Sequence, residues 1–133
     1  DETALENSIR VIKEFSIQGV IVANTTVKRP ELKSKHRFEN GGLSGKPLQK
    51  RSTEMIRNVF QKLGTEMPII GVGGIFSGAD AYDKIRAGAS AVQIYTALIY
   101  EGPGQVRKVK RELAKLLNED RFTSVSDAVG VDS

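Results

Sequence analysis

The sequence predicts an α/β fold, and more specifically about three strands of a TIM-type (β/α)8 barrel. Helical and strand-like patterns alternate along the chain, and each strand-like segment is a short, continuous apolar run, which is typical of parallel strands. The chain has 133 residues, whereas a complete barrel of this type takes about 250. These observations together predict part of a barrel rather than a whole one.

The first half of the chain predicts two helices, one strand and a long loop. Apolar residues recur at helical spacing over residues 3–16 and again over about 48–63. Between them, the apolar run at 20–23 predicts a strand. Residues 27–47 show no sustained period, and a loop of that length inside a compact domain is usually functional.

The second half predicts two further strands and two helices. The apolar runs at 68–72 and 91–95 predict strands which, like the first, are expected to be buried on both faces. Ser77 and Asp80 have the spacing of a capping box, which predicts a short helix to about Ala87. A last helix is predicted over 105–118. Repeated strand-then-helix order predicts a parallel sheet.

The predicted order begins with a helix, as if a strand came before it. Three parallel strands cannot close a barrel, so we expect residues 1–133 to form the C-terminal segment of a single barrel domain. A second chain is expected to supply the N-terminal remainder.

Composition and charge exclude several classes of function. The chain has no cysteine and one histidine, His36, so no disulfide and no metal site are expected. No apolar run approaches the roughly 18 residues that span a bilayer, and no leader peptide is expected. The net charge of +4 lies mainly at 28–37 and 107–111 without any nucleic-acid motif, so we expect no nucleic-acid binding. We predict His36 to be solvated, without a carboxylate partner.

Two neighbouring strand ends carry the strongest functional signal. Gly73 and Gly74 follow one strand directly, and Thr96 follows the next. Glycines there let backbone N–H groups approach a ligand without a Cβ in the way, and the helix after Ser77 is expected to point its N-terminus to the same place. Such loops commonly hold a phosphate in β/α barrels. The alternative is a tight turn at the glycines, with Thr96 only capping the next segment.

Two further segments suggest a ligand. Asn24 and Thr25 follow the first strand, and an amide beside a hydroxyl suits a planar heterocycle with carbonyl and N–H edges, although a simple turn fits equally well. Glycines surround Ser44 in residues 41–47 (GGLSGKP), which suggests a loop folded against polar groups of a ligand. The spacing does not match an ATP-binding P-loop, and Lys46 is expected on the surface.

Four motifs in order closely resemble quinone-dependent (class 2) dihydroorotate dehydrogenases, in their C-terminal portion. The motifs are residues 19–26 (GVIVANTT), 41–48 (GGLSGKPL), 68–75 (PIIGVGGI) and 85–98 (IRAGASAVQIYTAL). The resemblance continues through 108–113 and 127–130 and so covers essentially the whole chain. It implies an enzyme that oxidises (S)-dihydroorotate to orotate in pyrimidine (UMP) biosynthesis, with FMN as cofactor and a quinone, ubiquinone, as electron acceptor.

The same resemblance implies roles for particular residues. Asn24 and Thr25 would bind the substrate, and Leu98 and Pro103 would line part of a quinone tunnel. The implied FMN contacts are Ala23, Ser44, Gly45, Gly73, Gly74, Tyr95 and Thr96. Ala23 stands where the family often has a threonine, so its contact would come from the backbone.

The resemblance also implies what this chain lacks. The family's serine base and its flavin-contacting lysine would lie upstream, so no catalytic residue is assigned here and the chain alone is expected to be inactive. The same upstream region would attach the enzyme peripherally to the mitochondrial inner membrane, with a bacterial inner membrane as the less favoured location. The alternative is a non-catalytic half-barrel that binds a phosphorylated ligand or self-associates.

Overall fold

The structure is a computed structural model that describes residues 2–29 and 32–133, so residues 30 and 31 of the predicted loop lie outside the described residues. The elements in chain order are α1 (Glu2–Glu14), β1 (Val20–Val22), a 3-10 turn (Lys46–Leu48), α2 (Gln49–Leu63), β2 (Ile69–Val72), α3 (Gly78–Arg86), β3 (Ala91–Gln93), α4 (Thr96–Glu101), α5 (Gly104–Glu119) and a second 3-10 turn (Ser126–Ala128). The predicted alternation of helices and strands is confirmed.

The three strands form one parallel sheet in the order β1-β2-β3. Ile21 pairs with Ile70 in the first ladder, and Ile70 pairs with Ala91 in the second. Each strand is one or two residues shorter than predicted, since β1 ends at Val22, β2 begins at Ile69 and β3 ends at Gln93. The end of β2 lies where it was predicted, before Gly73 and Gly74, which take positive φ angles of 115° and 71°. The parallel sheet itself is confirmed.

One face of the sheet carries the main core. Val22 and Ile69 point to this face and pack against Ile9 of α1 and against Ile56 and Val59 of α2. Apolar burial of this kind contributes about 25 cal/mol per Å² removed from water, so these contacts fix α1 and α2 to the sheet.

The expectation that the strands are buried on both faces is wrong for this chain. Side chains alternate between the two faces of a strand, and Ile21 and Ile70, which point away from the helices, are 62% and 36% exposed. A continuous apolar run indicates burial in a complete sheet, but three strands leave the face opposite the helices open.

Helix α3 begins at a hydroxyl cap, as predicted. The Asp80 N–H donates to Ser77 Oγ at 3.1 Å. The Asp80 carboxylate accepts from the Phe76 N–H and from the Ser77 hydroxyl, both at 2.9 Å. In a capping box it would accept from the N–H of the N-cap residue Ser77, so here it bonds the residue before the N-cap. The carboxylate therefore also fixes the chain that enters the helix.

The long loop is held by contacts that its sequence pattern does not reveal. Thr26 and Leu43 form an antiparallel bridge across it, and Arg29 donates to the carbonyls of Thr26 and Glu39 at 3.0 and 3.3 Å. The expectation of a His36 without a carboxylate partner is wrong, because its Nδ1 lies 2.6 Å from Glu39 Oε1. The two residues are three positions apart, so a single turn brings them together.

Arg86 fastens the C-terminal residues to α3 and α5. Its Nε and Nη2 donate to the two carboxylate oxygens of Asp132 at 2.8 and 2.7 Å, and its Nη1 donates to Asp120 at 2.8 Å. The guanidinium lowers the pKa of the Asp132 carboxyl. Among the described residues, no helix is long and apolar enough to cross a membrane.

Candidate functional site

A cavity of about 390 Å³ lies at the carboxyl ends of all three strands. In a parallel sheet these ends share one edge, which is where barrel enzymes place their sites. The cavity is lined by Ile21, Ala23, Asn24, Thr25, Ser44, Gly45, Leu48, Val72, Gly73, Gly74, Ile75, Phe76, Gln93, Ile94, Tyr95, Thr96 and Ala97. The predicted substrate and FMN residues are all among them.

The end of β1 supplies the polar part of the first wall. Ala23, Asn24 and Thr25 follow the strand, and the Thr25 N–H donates to Asn24 Oδ1 at 2.7 Å. A Cβ placed on Gly42 would lie 1.9 Å from Thr25 Oγ1, so only a glycine lets the loop approach Thr25 this closely. The amide nitrogen and the hydroxyl remain available as polar groups of the wall.

The loop before α2 closes the opposite side of the cavity. The Thr26–Leu43 bridge brings Ser44 to the end of β3, where the Thr96 hydroxyl donates to Ser44 Oγ at 3.3 Å. Gly45 has a φ of 82°, and a Cβ there would lie 3.0 Å from Thr96 Cγ2. Positive φ strains any residue with a Cβ. The loop and the third strand end therefore form one continuous wall.

Gly73 and Gly74 lie at the bottom of the cavity with backbone that favours glycine. The expected reason for these glycines was room for a ligand, but a Cβ would point elsewhere. On Gly73 it would lie 3.1 Å from Ser52, and on Gly74 it would lie 2.5 Å from the Gln49 backbone nitrogen. The close approach of α2 thus requires the glycines, and their backbone rather than an empty Cβ position faces the cavity.

The expectation that the N-terminus of α3 points into this site is wrong. The Gly78 N–H donates to Glu112 Oε2 at 2.7 Å, and the Asp80 N–H is taken by Ser77. Neither Ser77 nor Gly78 lines the cavity. The short helix α4 instead begins in the wall itself, at Thr96, and the first N–H groups of a helix have no partner within it.

The side chains that line the cavity are polar without being acidic or basic, or they are apolar, and one of them is a phenol. Among the residues that the structure describes, the lining contains no Asp, Glu, Lys, Arg or His, and Tyr95 is 72% exposed. Hydroxyls, amides and backbone N–H groups alternate with apolar side chains such as Ile94. Such a lining suits a ligand with a flat apolar body and a polar or anionic end.

The family model for dihydroorotate dehydrogenase matches residues 1–117. The chain belongs to the dihydroorotate dehydrogenase family. The dihydroorotate dehydrogenase (quinone) of Xanthobacter autotrophicus is 52% identical over 99% of this chain. The mitochondrial dihydroorotate dehydrogenase (quinone) of Mus musculus is 53% identical over 96% of it.

Solved structures of the family show the same fold. The ligand-free dihydroorotate dehydrogenase of Eimeria tenella superposes with a TM-score of 0.89 at 46% identity, and the match covers 93% of this chain and 34% of that one. The enzyme of the same organism in complex with ferulenol gives the same TM-score. These neighbours are TIM barrels, which confirms the predicted fold class. The chain spans 37% of the Xanthobacter relative's length and 32% of the mouse relative's.

Dihydroorotate dehydrogenases are flavoprotein oxidoreductases, which fits a cavity with a neutral, partly apolar lining. Leu98 and Pro103, predicted to line a quinone tunnel, do not line the cavity; Leu98 is half-buried in α4 and Pro103 is exposed before α5. Their quinone role stays a prediction. Among the described residues, no group of three or more His, Cys, Asp or Glu side chains could hold a metal ion.

Two residues beneath the cavity were not predicted as functional. Ser52 and Lys84 are buried, and the Ser52 hydroxyl donates to the Gly73 carbonyl at 2.9 Å. The sequence carries a signal for Lys84, because it stands three residues after Ala81 and one before Ile85, two apolar residues of the same predicted helix. A lysine at such a position is a candidate for a specific internal role.

Proposed function

We propose that this chain forms the C-terminal segment of the FMN-binding barrel of a quinone-dependent dihydroorotate dehydrogenase. The enzyme oxidises (S)-dihydroorotate to orotate and passes the electrons to a quinone, as a step of pyrimidine biosynthesis. One observation carries the proposal. Three strand ends and one glycine-rich loop, which lie far apart in the chain between Ile21 and Ala97, meet around a single cavity with the expected residues in its lining.

The donor set of the cavity fits the phosphate of FMN. Backbone N–H groups at Gly73 and Gly74 are neutral donors, and the Thr96 hydroxyl becomes a third if it turns from Ser44 Oγ, 3.3 Å away, to the ligand. No carboxylate lines the cavity among the described residues to repel an anion. The first residues of α4 add further N–H groups at the same wall. When bound, the flavin supplies the hydride acceptor of the reaction, and the residues of this chain bind and orient it.

Ala23, Ser44, Gly45 and Tyr95 complete the proposed flavin site. Gly45 is buried and lies against Thr96, which belongs to the proposed phosphate site. Ala23 has no polar side-chain atom, so any polar contact from it comes from its backbone. These residues exclude water from one side of the flavin and set its position.

Asn24 and Thr25 are the proposed substrate ligands. Both lie at the end of β1 in the cavity wall, and their amide and hydroxyl can donate to and accept from the carbonyl and N–H groups of a pyrimidine ring. They orient the ring and take no proton. The proton acceptor is proposed to be the serine base of the remaining part of the enzyme, supplied by a second chain.

The quinone side and the cellular location belong to the same proposal. Leu98 and Pro103 would line the quinone path near α4 and α5. The proposed position is peripheral, on the mitochondrial inner membrane, and the mouse relative, whose name includes "mitochondrial", supports the mitochondrial part of it. The Xanthobacter relative is nearly as similar, so a bacterial membrane is the competing location. Fractionation of the source cells separates the two.

The test uses the assembled protein, with this chain and the remainder of the barrel purified together. We expect a yellow complex that releases FMN on denaturation and reduces a quinone only when dihydroorotate is present. A colourless complex that cannot be reconstituted with FMN would contradict the proposal. A complex that binds a phosphorylated ligand but never oxidises dihydroorotate would support the half-barrel alternative instead.

A further inference from the structure

Lys84 is a charged side chain enclosed within the fold. It lies in α3, is 0% exposed, and is the only buried charged residue in the part of the chain that the structure describes. Its Nζ donates to Ser52 Oγ at 2.6 Å, to Thr53 Oγ1 at 2.9 Å and to the Gln49 carbonyl at 3.2 Å. All three partners are neutral and belong to the first two turns of α2, so no carboxylate neutralises the ammonium by direct contact.

The Lys84 ammonium determines how the Ser52 hydroxyl is used. Ser52 Oγ lies within hydrogen-bond distance of two carbonyls, those of Gln49 at 3.1 Å and Gly73 at 2.9 Å, but it has a single proton. Lys84 donates to Ser52 Oγ and also to the Gln49 carbonyl. Because Lys84 and the Thr53 hydroxyl, at 3.2 and 2.9 Å, already donate to the Gln49 carbonyl, the hydroxyl proton of Ser52 is free to go to the Gly73 carbonyl.

The bond to the Gly73 carbonyl fixes the direction of the next N–H group. The Gly73–Gly74 peptide bond is trans, and in a trans peptide the C=O and N–H bonds point in opposite directions. The carbonyl points to Ser52 beneath the cavity, so the Gly74 N–H points the opposite way, and both glycines line the cavity. A pair of glycines has little steric preference of its own, so an external contact must hold this peptide plane.

We propose that Lys84 and Ser52 are positioning residues that hold the Gly73–Gly74 peptide so that the Gly74 N–H donates to the phosphate of the flavin. This inference rests on the proposed function, because it takes the phosphate site at the glycine pair as given. The ammonium also adds a positive charge one residue layer behind a lining that has no cation of its own among the described residues.

Burial of the ammonium has a cost that a purely structural role does not require. Desolvation lowers the pKa of Lys84 to about 8, against the opposing influence of Asp80 and Asp83. A methionine would fill the same space without that cost. The alternative role is a fastening of α2 to α3, in which case removal of the ammonium changes stability but not the discrimination between phosphorylated and unphosphorylated flavin.

The two neighbouring hydroxyls on α2 provide a matched pair of variants. Ser52→Ala removes the contact with the Gly73 carbonyl and one acceptor of Lys84. Thr53→Val removes another acceptor of Lys84 and a bond of 2.9 Å to the Gln49 carbonyl, but Thr53 makes no bond to Gly73 among the hydrogen bonds of the described residues. Lys84→Met removes the ammonium itself.

The experiment measures Kd for FMN and for riboflavin, which lacks the phosphate, on the assembled apoprotein, together with Tm and the ³¹P resonance of bound FMN. We expect Ser52→Ala and Lys84→Met to raise the Kd for FMN about tenfold, the effect of one lost hydrogen bond to a charged group, and to leave riboflavin unchanged. The ³¹P resonance should move in both variants. Thr53→Val should lower Tm but leave the Kd for FMN and the ³¹P resonance unchanged.

The possible results separate the two proposals. The positioning role is wrong if Ser52→Ala changes the Kd for FMN and the Kd for riboflavin by the same factor, or changes neither, and the ³¹P resonance of bound FMN does not move. If the unmodified protein itself binds FMN no more tightly than riboflavin, the phosphate site of the proposed function is wrong. Should Lys84→Met fail to fold, Ser52→Ala and Thr53→Val still give the comparison.

Discussion

Replacement of Asn24 by alanine separates substrate binding from folding and from flavin binding. Asn24 is exposed in the cavity wall, and its hydrogen bond within the chain goes from the neighbouring Thr25 N–H to its side-chain oxygen. Loss of one exposed, local bond costs less than about 1 kcal/mol of folding free energy. We therefore expect the variant to fold and to melt within a few degrees of the unmodified protein.

The expected effect on catalysis is much larger. In the proposed complex the Asn24 amide is covered by the pyrimidine ring, and removal of one partner of a buried hydrogen bond costs about 1–3 kcal/mol. Each 1.36 kcal/mol is a tenfold change in rate, so kcat/KM for dihydroorotate should fall roughly tenfold to a hundredfold. FMN occupancy should remain full, because the phosphate site lies at the other two strand ends.

The assay follows quinone reduction by the assembled enzyme over a range of dihydroorotate concentrations, with flavin content measured on the same samples. Asn118→Ala provides the control, since it removes an exposed amide from α5 that does not line the cavity. Unchanged kinetics in Asn24→Ala, or a loss of flavin that precedes the loss of substrate affinity, would refute the assigned role.

Four further predictions concern charge, packing and assembly. The pKa of Lys84 is about 8 in the folded protein and 10.5 in the unfolded chain, so the unfolded chain binds more protons between these two pH values. The stability of the unmodified protein relative to Lys84→Met should therefore rise with pH across that window. A difference in Tm that does not change with pH would contradict this. Arg86→Ala removes the paired contact with Asp132 and should lower the free energy of unfolding by about 1–2 kcal/mol at neutral pH. Denaturant unfolding measures this, and an unchanged midpoint would show that the ion-pair network contributes nothing to stability. Gly74→Val places a branched side chain against the Gln49 backbone at positive φ, so Tm and FMN occupancy should fall together; full FMN occupancy at a lower Tm would count against the phosphate role. This chain expressed alone should self-associate through its open sheet face and should not oxidise dihydroorotate. Light scattering measures the association and a quinone-reduction assay measures the activity; a monomeric, active chain would contradict the prediction.

The sequence pattern was sufficient for the long helices and for the parallel sheet. Amphipathic periodicity is a local property, so α2 and α5 were predicted to within a few residues of their bounds. Helix α4 was missed because six residues are too short to display a helical period. The strand ends were overestimated because apolar character continues beyond the hydrogen-bonded ladder, as at Ile94.

The composition of the cavity could be predicted, but the reasons for it could not. Residues at parallel strand ends share an edge by topology, so Asn24, Gly73 and Thr96 could be placed together from the strand order alone. The contact of Gly74 with Gln49 depends on how closely α2 approaches the sheet, which is a tertiary distance that no local pattern encodes. Lys84 was missed for a different reason, because lysines are almost always exposed.

We propose that this chain, within the assembled enzyme, holds a flavin that dihydroorotate reduces and a quinone reoxidises. Anaerobic addition of dihydroorotate to the purified complex tests it directly through the visible absorption of the bound flavin. We expect the absorption to bleach on addition of dihydroorotate and to return when a quinone is added. A complex without flavin, or a bound flavin whose absorption dihydroorotate leaves unchanged, would contradict it.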